Sequence, residues 1–178
     1  MEILSPQAIA ESFKKVLRED VLNIDIYERE VAVKKNRFKR IFITVSREAF
    51  RQAVDHLIRI HPDPHLAIIA PSDLGDTVQL TYLFTIYYGN HLQEITLGLR
   101  VNLSKNDLKM PTITDLIPGC ILTERETQEM MGVEVVGIPD NRRLFLFEGF
   151  PEGVHPWRKD ETGPQELLRV LPGRQPKK

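Results

Sequence analysis

The chain has 178 residues, with 24 lysines and arginines against 25 aspartates and glutamates, and 42% of its residues are hydrophobic. That length suits a single domain, and the composition is that of an ordinary globular protein rather than of a disordered or fibrous one. A formal net charge of -1 argues against broad electrostatic capture of nucleic acid, which needs a clustered positive excess.

Three further features limit the class of protein. The lone cysteine, Cys120, excludes an internal disulfide framework and a cysteine-only zinc or iron–sulfur site built by this chain alone, and we predict a buried thiol in a reducing compartment. The longest stretch without a charged residue, 77–93, alternates polar and apolar residues and is too polar to span a membrane. The N terminus has no basic leader followed by an apolar core, so we predict a cytoplasmic protein that a partner could hold at a membrane.

The first predicted element is an amphipathic helix. Ser5 and Pro6 match the preferred N-cap and first helical position, and apolar residues then recur at helical spacing until about Arg18. The alternation of apolar and polar residues over 22–26 that follows predicts a first strand.

A second short strand is predicted at 41–45, directly after a basic run at 34–40. We interpret this run as a solvated connection between strands. The alternatives are that it contacts an acidic partner or the phosphates of a nucleic acid. Ser46 is predicted to cap a second helix, which Pro62 ends.

The clearest local pattern predicts a β-hairpin. Apolar residues occupy every second position over 78–88 and again over 95–103, and Gly89-Asn90 between them is typical of a two-residue turn. A tight turn places four apolar pairs on one face of the sheet, namely Phe84–Ile95, Tyr82–Leu97, Leu80–Leu99 and Val78–Val101.

A third helix is predicted after residues 111–115 interrupt the sheet. Thr123 and Glu126 have the spacing of a capping box, in which each side chain satisfies a backbone amide at the helix start. The helix should run to Met131, and Gly132 is placed to end it in a left-handed conformation.

The end of the chain differs in composition from the rest. Residues 144–147 form a last apolar run, which we interpret as a strand. Sequential strands with helices covering one face predict an α+β domain over 1–147, built on a mainly antiparallel, mixed sheet. Residues 148–178 contain four glycines and five prolines. They are predicted to form an extended C-terminal tail that docks on partner subunits, because such a segment buries little surface by itself.

The sequence shows no clear catalytic motif. His61 and His65 have metal-ligand spacing only on a helix, and the prolines between them favour a turn. Glycine-rich nucleotide-binding loops and nucleophile elbows do not occur. Glu124, Glu129 and His155 could act as acids and bases in a stand-alone enzyme, but we favour structural roles for the carboxylates.

Cations cluster after the third helix. Arginine side chains suit carboxylates of another subunit, because two parallel hydrogen bonds fix orientation as well as attraction. The alternative is that these cations pair within the chain, and Arg125 and Glu129 are spaced to do so on the helix. The cations are Arg142, Arg143, Arg158 and Lys159, and their possible internal partners are Glu124, Glu126, Asp140 and Asp160.

The segment 123–160 contains a Glu-Arg-Glu helix, a turn followed by two basic residues, and a closing Pro-x-Arg-Lys-Asp run. This pattern resembles the signature of the thirty-kilodalton (C) subunit family of NADH–quinone oxidoreductase, which membrane-bound nickel–iron hydrogenases and formate hydrogenlyases share. Ile138 stands where the family usually has histidine, which favours the hydrogenase-like branch. The matching residues, which we predict to dock on partners, are Glu124, Arg125, Glu126, Glu129, Gly132, Gly137, Pro139, Asp140, Arg142, Arg143, His155, Pro156, Arg158, Lys159 and Asp160.

The resemblance implies a peripheral, non-catalytic subunit without a cofactor of its own. Such a subunit docks on a large subunit, of the nickel–iron or quinone-pocket type, and on a small iron–sulfur subunit, so that the clusters and any nickel–iron centre lie in partners. The complex would pass electrons from a donor such as ferredoxin and pump ions at the cytoplasmic face of the membrane. The alternative branches are NADH- or ferredoxin–quinone oxidoreductases and sulfur-reducing relatives.

Overall fold

A five-stranded sheet, a two-stranded sheet and three α-helices make up the described part of the chain, residues 3–31, 36–90 and 92–167 of a computed structural model. Within these residues, no helix combines the length and the apolar character needed to cross a bilayer. In chain order the elements are α1 (Pro6–Leu17), β1 (Val21–Val31), β2 (Asn36–Val45), α2 (Phe50–Ile60), β3 (His65–Asp73), β4 (Thr77–Ile86), β5 (Ile95–Ser104), β6 (Lys109–Pro111), α3 (Ile121–Met131) and β7 (Glu134–Val136).

The large sheet has the strand order β1-β2-β5-β4-β3, in which β2 and β5 are parallel and the other neighbours are antiparallel. α1 packs against β1 and β2, α2 against β5, and α3 against β3. The inward-facing strand residues form one buried cluster with α1, α2 and the end of α3. The predicted α+β fold, with a mainly antiparallel, mixed sheet and helices on one face, is therefore confirmed.

Local signals set the start of α1 as predicted, and that of α2 only in part. The Ser5 hydroxyl accepts a hydrogen bond from the Ala8 amide at 3.1 Å, as an N-cap does. The Ser46 hydroxyl likewise accepts the Ala49 amide at 3.2 Å, but in a turn that precedes the helix, which begins at Phe50.

The β4–β5 hairpin forms with a longer loop than the predicted two-residue turn. Tyr87 has a φ of 58° and a buried ring, and its hydroxyl accepts the Leu4 amide at 3.3 Å, so β4 ends before Gly89-Asn90. Because the shift in register is an even number of residues, the predicted side chains still face the core. The observed pairs are Ile86–Ile95, Phe84–Leu97, Tyr82–Leu99, Leu80–Val101 and Val78–Leu103.

Other strand predictions need correction. Residues 36–40 of the basic run lie in β2 rather than in a solvated connection, and 34–35 lie outside the described residues. Residues 144–147 form an irregular loop instead of a strand, because the amides of 144–146 bind the side chain of Glu129. Strand β3 was not predicted; it contains Pro71 at the edge of the sheet, where a missing amide is tolerated.

Candidate partner-docking site

The predicted docking residues lie in one region, beside the edge strand β3. We call this region the signature corner; it consists of α3, the signature loop (137–147) and the closing segment (151–163). The loop carries Gly137, Pro139, Asp140, Arg142 and Arg143, and the closing segment carries His155, Pro156, Arg158, Lys159 and Asp160. The remaining predicted residues lie on α3 or directly after it, and are Glu124, Arg125, Glu126, Glu129 and Gly132.

α3 begins earlier than predicted. Its first residue is Ile121 and its N-cap is Cys120, without a side-chain hydrogen bond to the cap amides. Thr123 lies in the first turn, where its hydroxyl donates to the Cys120 carbonyl at 2.9 Å. The predicted capping box of Thr123 and Glu126 is therefore wrong. The end of the helix is as predicted, since Gly132 has a φ of 73°.

Glu124 points into the core rather than to a partner surface. Its side chain is fully buried, and its carboxylate accepts the Thr112 hydroxyl at 2.6 Å and the Ile113 amide at 2.9 Å. Burial raises the pKa of Glu124 because desolvation outweighs these hydrogen bonds. Burial and the neighbouring Glu124 likewise raise the pKa of the Cys120 thiol, which is buried as predicted. Glu124 therefore ties α3 to the segment that follows β6.

We expect the free energy of unfolding of Glu124→Gln, compared with that of wild type, to increase as the pH rises above about 4.5, the ordinary pKa of this carboxyl group. Because its folded-state pKa is raised, the native protein keeps the proton to a higher pH than the unfolded chain, and the wild type loses stability through that window. Urea unfolding at about pH 4 and about pH 7 measures the effect. Glu126→Gln, on the same helix, is the control. An equal difference from wild type at both pH values would contradict the expectation.

Arg125 attaches the signature loop to α3. Its guanidinium donates to the carbonyls of Arg142 and Arg143, at 2.9 and 3.0 Å, and lies 3.2 Å from the Asp140 carboxylate. Asp140 also accepts the amide and guanidinium of Arg142 at 2.8–3.1 Å, and these bonds lower the pKa of Asp140. Arg142 therefore pairs within the chain, as the alternative interpretation of the cations stated, although its own side chain is 84% exposed.

Glu129 holds the next part of the same loop. Its carboxylate accepts the amides of residues 144, 145 and 146 at 2.7, 2.8 and 3.3 Å. The prediction that Glu129 pairs with Arg125 is wrong, because each of the two side chains binds loop groups instead. One face of α3 thus binds both carbonyls and amides of the loop, which fixes the loop in one conformation.

The closing segment caps the carboxyl end of α3. The carbonyls of residues 129–131 accept hydrogen bonds from His155 Nδ1 at 3.0 Å, the Trp157 amide at 2.9 Å and the Arg158 guanidinium at 3.4 Å. These carbonyls have no partner within the helix, and a cation is favoured at this end. The His155 ring lies over Gly132, so closely that a Cβ there would be 2.6 Å from the ring.

A largely buried group of two carboxylates and two cations joins the closing segment to the large sheet. Asp73 has a fully buried carboxylate that lies 2.8 Å from Lys105 Nζ and accepts the Lys159 amide at 2.9 Å. Asp160 lies 2.5 Å from Lys105 Nζ and 2.6 Å from the Arg158 guanidinium. Burial raises the pKa of Asp73, but the bonds from Lys105 and from backbone amides outweigh it and lower that pKa to about 2. The Arg158 guanidinium lowers the pKa of Asp160.

The closing segment belongs to the region predicted as an extended tail. In the structure it contacts both α3 and the sheet, through Trp157 and Lys159 among others. Residues 168–178 of the predicted tail lie outside the described residues.

Aromatic side chains are exposed on the corner, beside the exposed signature cations Arg142, Arg143 and Lys159. Phe145, Phe147 and Trp157 have exposed fractions of 60%, 67% and 41%. Arg143 donates to the carbonyls of Phe147 and Phe150, both at 3.2 Å, and so fixes the turn that presents them. These aromatics were not predicted as functional residues. Their position among glycines and prolines, where the chain has little core of its own, was the available signal.

Of the three side chains considered for a stand-alone enzyme, Glu129 and His155 line one small cleft beside the signature loop, whereas Glu124 lies apart from them in the core. Glu124 bonds to Thr112 in the core, Glu129 is occupied by loop amides, and His155 bonds to a helix carbonyl. Across the three described ranges, no group of three or more histidine, cysteine, aspartate or glutamate side chains could hold a metal ion.

The chain is similar in sequence to subunits of hydrogenase, formate hydrogenlyase and NADH-quinone oxidoreductase complexes. Membrane-bound hydrogenase subunit beta of Pyrococcus furiosus is 33% identical over 143 residues, which cover 79% of this chain and 82% of the relative. Formate hydrogenlyase subunit 5 of Escherichia coli is 33% identical over 89 residues, and the C/D subunit of NADH-quinone oxidoreductase of Salmonella typhimurium is 42% identical over 95. These two matches cover 48% and 49% of this chain but only 16% of each relative.

Solved structures share the fold. A chain of the membrane-bound sulfane sulfur reductase, an archaeal respiratory membrane complex, has a TM-score of 0.68 over 97% of this chain and 95% of its own length, at 14% identity. A trypsin-resistant fragment of Nqo5 has a TM-score of 0.53 over 75% of this chain and 96% of the fragment, at 19% identity. The family model described as respiratory-chain NADH dehydrogenase, 30 kDa subunit, matches residues 43–166. Because that match spans most of the chain, the protein belongs to this family.

Proposed function

We propose that this chain is a non-catalytic structural subunit in the peripheral arm of a membrane-bound, ion-translocating oxidoreductase of the hydrogenase type, linked to ferredoxin. It braces the redox subunits and carries no redox centre of its own. The complex lies at the cytoplasmic face of the membrane, and this chain is held there only through its partners. Nucleic acid is not a partner in this proposal.

One observation carries the proposal: the signature corner holds its loop with Arg125 and Glu129 and exposes aromatic side chains. Arg125 and Glu129 bind the backbone of the signature loop, while Phe145 and Phe147 are 60% and 67% exposed. Large exposed aromatics on a rigid support are typical of protein interfaces, where aromatic and arginine side chains are enriched. The exposed Arg142 lies beside them on the same loop.

The partners in this proposal are a large subunit, of the nickel–iron or quinone-pocket type, and a small iron–sulfur subunit. The iron–sulfur clusters, and the nickel–iron centre of a hydrogenase, would lie in those subunits. The Salmonella relative has the double name C/D, and this chain matches only 16% of its length. A polypeptide that joins the matching region to a much longer one supports a large-subunit neighbour for this chain.

We expect Phe145→Ser combined with Phe147→Ser to weaken co-purification of the large subunit with a tagged form of this chain. Losing two interfacial aromatics costs about 2 kcal/mol or more, which is roughly a 30-fold weaker complex. The fold should persist, since both side chains are mostly in solvent. Quantitative mass spectrometry of complexes purified from membranes measures the effect.

Leu22→Ser is the matched control, because Leu22 is a comparably exposed apolar residue on β1, at the opposite edge of the sheet from β3 and the signature corner. Equal recovery of the large subunit with the double variant and the control would refute the docking role of the corner. The same purification tests the branch of the family: a large subunit with two Cys-x-x-Cys pairs supports the hydrogenase type. One without them would support the quinone- or sulfur-linked alternatives.

A further inference from the structure

An apolar row crosses the face of the large sheet that the helices leave uncovered. Ile68, Leu83, Gly98 and Phe42 are successive cross-strand partners on β3, β4, β5 and β2. Tyr27 continues the row on β1, with its ring 6.0 Å from the Phe42 ring. The other outward positions of β4 are polar, as expected for a sheet face in water, so the row is distinct from its surroundings.

The row ends in a positively charged aromatic cleft of about 760 Å³ between β1, β2 and β5. Tyr27 and Phe38 are 55% and 56% exposed there. Three arginines, Arg29, Arg40 and Arg100, and one acid line the cleft. The acid is Glu28, whose carboxylate accepts a hydrogen bond from the Gln7 side chain at 3.0 Å, so the lining carries a net positive charge. Arg100 is fixed by the Phe42 ring, 4.1 Å away, and by Asp25, at 3.1 Å.

We propose that this sheet face binds a second protein partner, through a segment that carries carboxylates beside an apolar side chain. Tyrosine, phenylalanine and arginine are enriched in protein interfaces, and tyrosine and arginine often supply much of the binding energy. The positive charge selects an acidic segment, because complementary charge steers binding and like charge opposes it. This surface is separate from the signature corner, so the inference goes beyond the proposed function and uses it only to name the complex in which the partner is sought.

The observations favour an acidic protein segment over the other occupants. Nucleic acid binding needs a clustered positive excess, whereas this chain has a formal net charge of -1. The Phe42 ring is also covered, by Arg100 on one side and by Gly98, where a Cβ would lie 2.4 Å away, so it offers no free face for base stacking. A second copy packed through the same patch about a two-fold axis would place arginines near arginines. Residues 168–178 of this chain are also excluded as the occupant by charge, because they contain arginine and lysine but no acid.

Photo-crosslinking in the assembled complex tests this inference separately from the proposed function. Benzoylphenylalanine is placed at position 38, on the sheet face, or at position 145, on the signature corner, in the full chain within its own host. The complexes are illuminated and purified from membranes. We expect position 38 to crosslink to one protein segment in which aspartate and glutamate outnumber lysine and arginine.

The crosslinks at the two positions distinguish failure of the sheet-face inference from failure of the proposed function. A crosslink at position 145 but none at position 38, or one from position 38 to nucleic acid, lipid, a second copy or a basic segment, overturns the sheet-face inference alone. Absence of protein crosslinks at both positions overturns the proposed function as well. Arg40→Glu should reduce the yield at position 38 by about tenfold. Arg59→Glu, the same charge change on the helix-covered side, should leave it unchanged, and circular dichroism verifies that both variants fold.

Discussion

Asp73→Ala is expected to lower the free energy of unfolding by about 3–5 kcal/mol, the typical cost of removing one partner from a buried ion pair. Its carboxylate is fully buried and binds Lys105, the Lys159 amide and the Gly75 amide. Without it, two amides lose their acceptor, and two cations share the single acid Asp160. Urea or thermal unfolding measures the loss.

The loss of stability caused by Asp73→Ala should depend on pH. The pKa of Asp73 is lowered from 3.8 to about 2 in the folded state. The unfolded chain therefore binds the proton more readily, and the stabilisation by Asp73 is present above pH 3.8 and is lost as the pH falls toward 2. The difference in stability between wild type and Asp73→Ala should shrink through this window.

Asp107→Ala is the matched control for Asp73→Ala. Asp107 also forms an ion pair, with Arg47 at 2.6 Å, but the two side chains are 49% and 32% exposed. Water replaces such a contact, so its loss should cost much less. Comparable losses for the two variants would show that the buried group does not anchor the closing segment.

Gly132→Ala is expected to destabilise the protein by about 2–3 kcal/mol, for two reasons that add. Gly132 has a φ of 73°, a left-handed conformation that costs a residue with a Cβ about 1–2 kcal/mol. The new Cβ would also lie 2.6 Å from the His155 ring, which must move and give up its hydrogen bond to the Glu129 carbonyl, worth about 1 kcal/mol.

The fluorescence of Trp157, the only tryptophan in the sequence, reports whether the closing segment leaves α3. In the His155→Ala background, Gly132→Ala should cost only the backbone part, because the ring and its hydrogen bond are already absent. Gly119→Ala is the control, because a Cβ there meets no heavy atom within 4 Å and the backbone is not left-handed. Equal stability of Gly119→Ala and Gly132→Ala would contradict this account.

Much of the fold could be predicted because its signals act over a few residues. The Ser5 cap and the Gly132 end of α3 depend only on backbone groups within one helical turn. The alternating pattern of β4 and β5 fixed which side chains face the core. It did not fix the loop, because Tyr87 takes its conformation from burial and from a bond to distant Leu4.

The sequence predicted where the candidate site lies, but not which groups its charged side chains bind. The density of charges at 123–160 indicated a functional segment, and its family pattern is confirmed by the matching family model. The partners of those charges were not predictable by spacing. Arg125 and Glu129 are suited to pair on an isolated helix, yet each binds loop backbone many positions away, because the folded chain brings those groups within reach.

The sequence by itself determined the α+β class, the boundaries of α1, the left-handed end of α3 and the residues facing the core, since each follows from contacts within a turn or from a period of two. Only the tertiary structure decided the parallel β2–β5 pairing, the burial of Glu124 and Asp73, and the outward position of Phe145 and Phe147. These depend on groups far apart in the chain, whose burial and charge become defined only when the segments pack together.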